Sequence, residues 1–148
     1  MHPRLFPLAA ALFCLQILAA GAAQASGVLG RWLTESGNAQ VEIQECAGRL
    51  CGRVVWLKEP LDEEGAPKRD RHNPDPGLRE RPIIGLAMLE NFIPDEDPGK
   101  WRDGTIYNPE DGKTYSCTLT LQDDGRLRVR GYVGLPLFGK TQIWTRAP

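Results

Sequence analysis

Asp70, His72 and Asp75 lie close together, and Arg79 and Arg81 follow. Two carboxylates held apart with separated pKa values can perform acid–base or glycosidic chemistry. Asp70 and Asp75 could flank a substrate in that way, with the two arginines beside it. The same residue types in a turn-rich stretch can instead pair with one another and order the segment, and that is the expectation here. His72 is the one histidine beyond the first 25 residues. A Ser–His–Asp or Cys–His hydrolase would need it as base, but no Gly-x-Ser-x-Gly elbow accompanies it. Zinc sites draw on several His or Cys ligands, and none cluster in the sequence. Asp95-Glu96-Asp97 and Asp123-Asp124 lack the spacing of a calcium loop and suit turns. Gly131-Tyr132-Val133-Gly134 lacks the helix and lysine of a phosphate-cradling loop. No catalytic residue, metal or cofactor is therefore assigned.

The aromatic side chains carry more information. Trp56, Trp101, Tyr107, Tyr115, Tyr132 and Trp144 all fall on extended segments or at their ends. Inside a small barrel, such residues either fill the core or line a ligand cavity. Asp70, Asn73, Arg79, Arg81, Trp101, Tyr107, Tyr115 and Tyr132 are the candidate ligand-binding residues. Arg126, Arg128 and Arg130 alternate as one charged face of a strand. Leu135-Pro136-Leu137-Phe138 is an apolar loop whose exposure would mark a partner or ligand mouth.

These groups need elements to position them. Short alternating runs, punctuated by Gly, Pro and Asp-Gly, predict antiparallel β structure. The expected strands are Gly30–Thr34, Gln40–Cys46, Leu50–Leu57, Ile84–Phe92, Trp101–Asn108, Thr114–Gln122, Arg126–Val133 and Lys140–Arg146. Around Asp123-Asp124-Gly125, pairing Leu121 with Leu127 also pairs Leu119 with Val129, Cys117 with Gly131 and Tyr115 with Val133. A three-residue loop ending in Gly is the expected type I turn with a G1 bulge. About eight strands suit a small closed up-and-down barrel, which leaves no unpaired edge. Lys58 to Arg81 interrupts the regularity. It carries six basic and seven acidic residues and four prolines. It reads as either a flexible excursion or an ordered functional loop.

The chain has 148 residues and a formal net charge of -1. That balance argues against binders of nucleic acid or anionic membranes that rely on long-range attraction. Residues 1–25 read as a secretory signal. His2 and Arg4 open it, Leu8 to Ala20 is almost wholly apolar, and Ala23-Gln24-Ala25 predicts cleavage after Ala25. The remaining 26–148 suits a single domain, and no later stretch approaches membrane-spanning length. Export would place Cys46, Cys51 and Cys117 in an oxidising compartment. Pairing Cys46 with Cys51 puts Ile43 opposite Val54 and Val41 opposite Trp56, an apolar face, with Gln44 opposite Arg53 and Glu42 opposite Val55. The disulfide register and the hydrophobic register then agree. Cys117 alternates with Tyr115, Leu119 and Leu121 and reads as a buried thiol.

Gly30-x-Trp32 at the start and Trp144-x-Arg146 at the end resemble the lipocalin and calycin barrels, in which the arginine packs over the tryptophan and closes the base. The chain as a whole resembles a bacterial exported family, domain of unknown function 2147. The resemblance is carried by Gly30-x-Trp32, Leu50-Cys51-Gly52, Asn73-Pro74-Asp75, Arg81-Pro82-Ile83-Ile84-Gly85, Trp101–Pro109, Asp111–Tyr115, Gly131–Gly134 and Phe138–Arg146. It implies a lipocalin-like barrel and no known reaction. The functional expectation is non-catalytic binding of a small apolar or amphipathic ligand, with the Asp70–Arg81 loop and the barrel aromatics at the mouth. The alternatives are an envelope interaction or stress-related module and a hydrolase using loop carboxylates. Ligand identity and oligomeric state are left open by the sequence.

Overall fold

The computed structural model describes residues 27–148. The expected signal and Cys14 lie outside the described residues. Eight antiparallel strands close into one barrel in chain order. They are β1 (Gly30–Leu33), β2 (Ala39–Cys46), β3 (Arg49–Leu57), β4 (Ala87–Pro94), β5 (Lys100–Asn108), β6 (Lys113–Leu121), β7 (Leu127–Tyr132) and β8 (Lys140–Arg146). β8 closes on β1 through Trp32 opposite Arg146 and Leu33 opposite Thr145. Closure satisfies both edge strands, as the alternating pattern requires.

The β6–β7 hairpin forms in the expected register, with Leu121 opposite Leu127, Leu119 opposite Val129 and Cys117 opposite Gly131. Gly125 takes φ +82° at the turn, where a side chain would be strained. The pairing of Tyr115 with Val133 does not form, because β7 ends at Tyr132.

Two further stretches, the β2–β3 hairpin and the start of β4, depart from expectation. The β2–β3 hairpin turns through Ala47-Gly48 alone, both at positive φ, so Cys46 lies opposite Arg49 and Gln44 opposite Cys51. A two-residue turn of that hand matches the twist of the flanking strands, so the register slips by two from the one expected. A slip of two leaves every side chain on its own face. The Cys46–Cys51 disulfide therefore still forms, as a diagonal pair with 5.8 Å between Cα atoms. Further along, a bulge between Gln40 and Val41 on one side and Trp56 and Val54 on the other reverses the alternation of β3. Trp56 faces solvent, at 40% exposure, instead of joining Val41 inside. The second correction is the start of β4, at Ala87 and not Ile84. Gly85 takes φ +95° and bends the chain before the strand begins.

The core fills one end of the barrel. Trp32, Trp144, Phe92, Leu89, Leu119, Leu127, Val41 and Ile43 are buried there with Trp101 and Cys117. Gly104 leaves room for the Phe92 ring, with which any Cβ would collide. The Trp32 indole donates to the Val28 carbonyl at 2.8 Å. The Arg146 guanidinium lies 4.0 Å from the Trp32 ring centroid and donates to the Leu29 carbonyl at 2.7 Å. This end is shut by side chains.

Candidate functional site

The opposite end is open. Inward positions that would continue the core are small or polar there. On β7, Gly131 succeeds Val129; on β8, Gln142 precedes Trp144 and lies opposite Val129. A cavity of about 960 Å³ results. That lies at the upper end of the usual size of small-molecule sites. Val54, Leu57, Ile83, Met88, Ile106 and Val129 supply its apolar wall. Thr34, Ser36, Asn38, Asn108, Tyr115 and Gln142 add polar groups, and Lys58, Lys68, Arg69, Arg71, Lys140, Glu59, Asp62 and Glu110 surround the opening. Several of these charges are already paired. Arg71 meets Asp62 at 3.0 Å, Lys68 meets Glu59 at 3.8 Å, and Arg69 meets Glu80. The rim therefore has local polarity without a strong field of one sign.

One wall of the cavity belongs to the long connection between β3 and β4. It is ordered. Leu61 bridges to Pro67 and Arg69 to Pro82, and a 3-10 turn spans Pro76–Leu78. Its centre is Asp70, fully buried. The Asp70 carboxylate accepts from the Tyr107 hydroxyl at 2.6 Å, Asn73 Nδ2 at 2.8 Å and Arg81 Nε at 2.8 Å. Arg81 also stacks 5.5 Å from the Tyr107 centroid. Asn73 passes the network on. Its Oδ1 accepts the Asp75 N–H and its carbonyl accepts Arg79 Nε, both at 2.8 Å. Burial pushes the Asp70 carboxyl upward, but the three hydrogen bonds and the Arg81 charge outweigh it and hold the pKa below its usual value. Burial raises the Tyr107 phenol, and the facing Asp70 carboxylate adds to that. Gly112, at φ +69° in the β5–β6 turn, sits directly under the His72 carbonyl, where a Cβ would collide. The connection is thus latched to β5 and to the β5–β6 turn.

The eight candidate residues fall into three groups. Tyr115 and Tyr132 line the cavity. Asp70, Asn73, Arg81 and Tyr107 converge, joined by Arg79, but as a self-satisfied network behind the cavity wall. Trp101 lies in the closed base, 3% exposed, away from the cavity. Asp70 and Asp75 do not form the facing pair that acid–base chemistry would require. Asp70 is sealed, and Asp75 caps the 3-10 turn by accepting the Gly77 N–H at 2.9 Å. His72 does line the cavity, on the Asp70–Arg81 loop expected at the mouth, although it was not itself among the candidate binding residues. The lining residues Val54, Met88, Ile106, Gly131 and Gln142 were missed as a group. Alternation gives a face only until an irregularity resets it, as between Trp101 and Gly104, and does not say whether opposite side chains meet. Among the described residues, no His, Cys, Asp and Glu side chains cluster as a metal site. No helix among them is long and apolar enough to cross a membrane.

Comparison with known proteins agrees with this architecture. A family model described as an uncharacterized protein conserved in bacteria, DUF2147, matches residues 30–146. Among solved structures, protein HP1028 from the human pathogen Helicobacter pylori, described as belonging to the lipocalin family, aligns with a TM-score of 0.68. It is 27% identical, over 82% of this chain and 83% of that one. No curated protein matches. The fold is a lipocalin-like barrel.

Proposed function

The chain belongs to the bacterial family DUF2147, and on that premise we propose that it binds a small apolar or amphipathic molecule in the open half of its barrel. One observation carries the reading. The inward face is packed with tryptophan and phenylalanine at one end, and gives way to Gly131, Gln142 and a cavity of about 960 Å³ at the other. An apolar wall with a few polar groups and a mixed-charge rim suits a ligand with an apolar body and a polar end. The lipocalin description of the Helicobacter pylori protein supports it. The residues offered for contact are Tyr115 and Tyr132 with Met88, Ile106 and Gln142. The Asp70 network serves as a positioning device for the wall.

The reading is non-catalytic, with the barrel as a carrier. It places the protein outside the cytoplasm, in the periplasm or beyond, with residues 1–25 removed after Ala25. The Cys46–Cys51 disulfide supports such a compartment. Native mass spectrometry of protein isolated from its own periplasm tests both parts. The expected spectrum shows a mature chain starting at Ser26 with a co-purified small molecule. Bare protein that also fails to take up a fluorescent amphiphile would overturn the binding reading. A retained N-terminus would overturn the export reading.

A further inference from the structure

We propose that the loop between β7 and β8 is a docking surface for an anionic phospholipid bilayer. Val133, Leu135, Leu137 and Phe138 stand 71%, 63%, 79% and 75% exposed in this one short segment. Isolated apolar residues on a surface need no explanation, but four large ones on a single projecting loop do. The segment is braced to project them. Arg130 Nε donates to the Pro136 carbonyl at 2.8 Å, and its Nη1 to Thr141 Oγ1 at 2.7 Å. Gly139 presses against the Gly131 carbonyl, where any side chain would collide. The loop backbone is thereby held to the barrel, with Leu135 and Leu137 exposed outside the cavity lining and Val133 and Phe138 at its mouth.

The charge behind the loop selects the partner. After Asp124 the sequence contains Arg126, Arg128, Arg130, Lys140 and Arg146 and no Asp or Glu. Arg128 and Lys140 form no ion pair among the described residues, whereas Arg126 is paired with Asp124. On the outer face, Arg128 and Arg130 lie opposite Thr120 and Thr118, which carry no charge to offset them. Glu35 accepts the Ile143 N–H at 3.1 Å, and Glu110 and Asp111 line the same opening, so the cations beside the loop act locally and not through a field of one sign. An apolar tip with unpaired cations behind it matches a bilayer interface, with the side chains beneath the headgroups and the cations at the phosphates. The net charge of -1 supplies no long-range attraction. Docking therefore depends on insertion and on these local cations together. Val133 and Phe138 also line the cavity, so docking sets its opening beside the headgroups. The surface stands whether or not the cavity takes a ligand.

The test is flotation of the purified exported protein with two kinds of vesicle. One is phosphatidylcholine alone; the other includes phosphatidylglycerol. Binding is expected to the second and to be weak on the first. Leu137→Ser with Phe138→Ser should lower the partition coefficient by at least about tenfold. Arg128→Gln and Lys140→Gln should each lower it about fivefold, on anionic vesicles only. These positions are exposed, and unchanged circular dichroism shows that the variants fold. Absence of binding to either vesicle overturns the proposal. So does binding that the loop variants leave unaltered, which would place the contact elsewhere in the chain. Self-association without vesicles that Leu137→Ser abolishes would also overturn it, in favour of a second copy.

Discussion

The Tyr107 hydroxyl donates to Asp70 at 2.6 Å across 37 residues of sequence, joining the β3–β4 connection to β5. Arg81 and Asn73 complete the shell around the same carboxylate, so the wall of the cavity hangs on one buried anion. Asp70→Ala leaves a buried phenol and a half-buried guanidinium without their partner, at a cost of about 2–4 kcal/mol. Tyr107→Phe removes a single donor, and about 1–2 kcal/mol is expected. Hydrogen exchange should locate the effect, with faster exchange across 58–86 and little change in β6 to β8. Uniform protection in Asp70→Ala would show that the network does not hold the wall.

Acid should weaken the same latch. Asp70 has its pKa lowered in the fold, so the native state binds its proton less readily than the unfolded chain does. Its contribution is complete above the ordinary carboxylate value of about 4 and is lost as pH falls through the lower native value. Asp62, Asp111 and Asp124 shift the same way but lie near the surface, where solvent screens them. The informative quantity is therefore the difference between the native protein and Asp70→Asn in Tm against pH. Below the ordinary carboxylate value that difference should shrink. Tyr107 acts at the other end. Its raised pKa means stability is lost as pH rises from about 10 through the native value, and Tyr107→Phe should flatten that limb. An unchanged acid limb in Asp70→Asn would rule out this origin.

Gly131 provides a way to fill the cavity. A Cβ there would meet Ile106 Cγ2 at 3.5 Å and Tyr115 Cβ at 3.8 Å, ordinary contacts, and the backbone is not left-handed. Gly131→Leu should leave Tm unchanged or raise it, since glycine is a poor strand residue. Uptake of a fluorescent amphiphile should fall at least about tenfold, since the side chain takes space a ligand of this class would need. Retained uptake in a folded Gly131→Leu protein would move the ligand out of the barrel.

The closed end depends on Arg146, which covers the Trp32 ring and donates to the Leu29 and Gly27 carbonyls. Arg146→Met keeps much of the apolar contact while losing the cation and both donors. About 1–2 kcal/mol of stability should go, measured by denaturant titration. Amphiphile uptake at the far end should be unaffected below the unfolding transition. A stability equal to that of the native protein would mean the cap is ornamental to closure.

The thiols should separate cleanly. Cys117 is buried, and burial pushes its pKa up to about 12, so it stays protonated and sheltered. Alkylation of the native chain from Ser26 onward, purified without reductant, should label nothing, and denaturation without reductant should expose Cys117 alone. Reduction should release Cys46 and Cys51. Replacing both with Ser is expected to cost about 2 kcal/mol, the usual entropic effect of so short a loop. Labelling of Cys46 or Cys51 before reduction would contradict the bond.

The sequence by itself determined much of the scaffold, because its signals are local. Alternation and turn residues located all eight strands, and Asp-Asp-Gly set the β6–β7 register from Leu121–Leu127 as far as Ser116–Tyr132. The disulfide pairing was also legible. Its register was not, because a slip of two preserves every face and leaves the hydrophobic pattern unchanged. Only the Ala47-Gly48 turn, at positive φ, separates the two alignments. Tertiary structure alone decided the rest. The bulge that turned Trp56 outward changes a face without changing composition. Asp70 was expected to pair within its own loop, and Arg81 does pair with it, but its burial against Tyr107 was not legible because that partner lies on another strand far along the chain. The cavity was least legible. The hairpin register placed Gly131 with Cys117, but Ile106 reaches the interior only because of the irregularity between Trp101 and Gly104, and whether inward side chains meet or leave space depends on how closure sets them across the barrel.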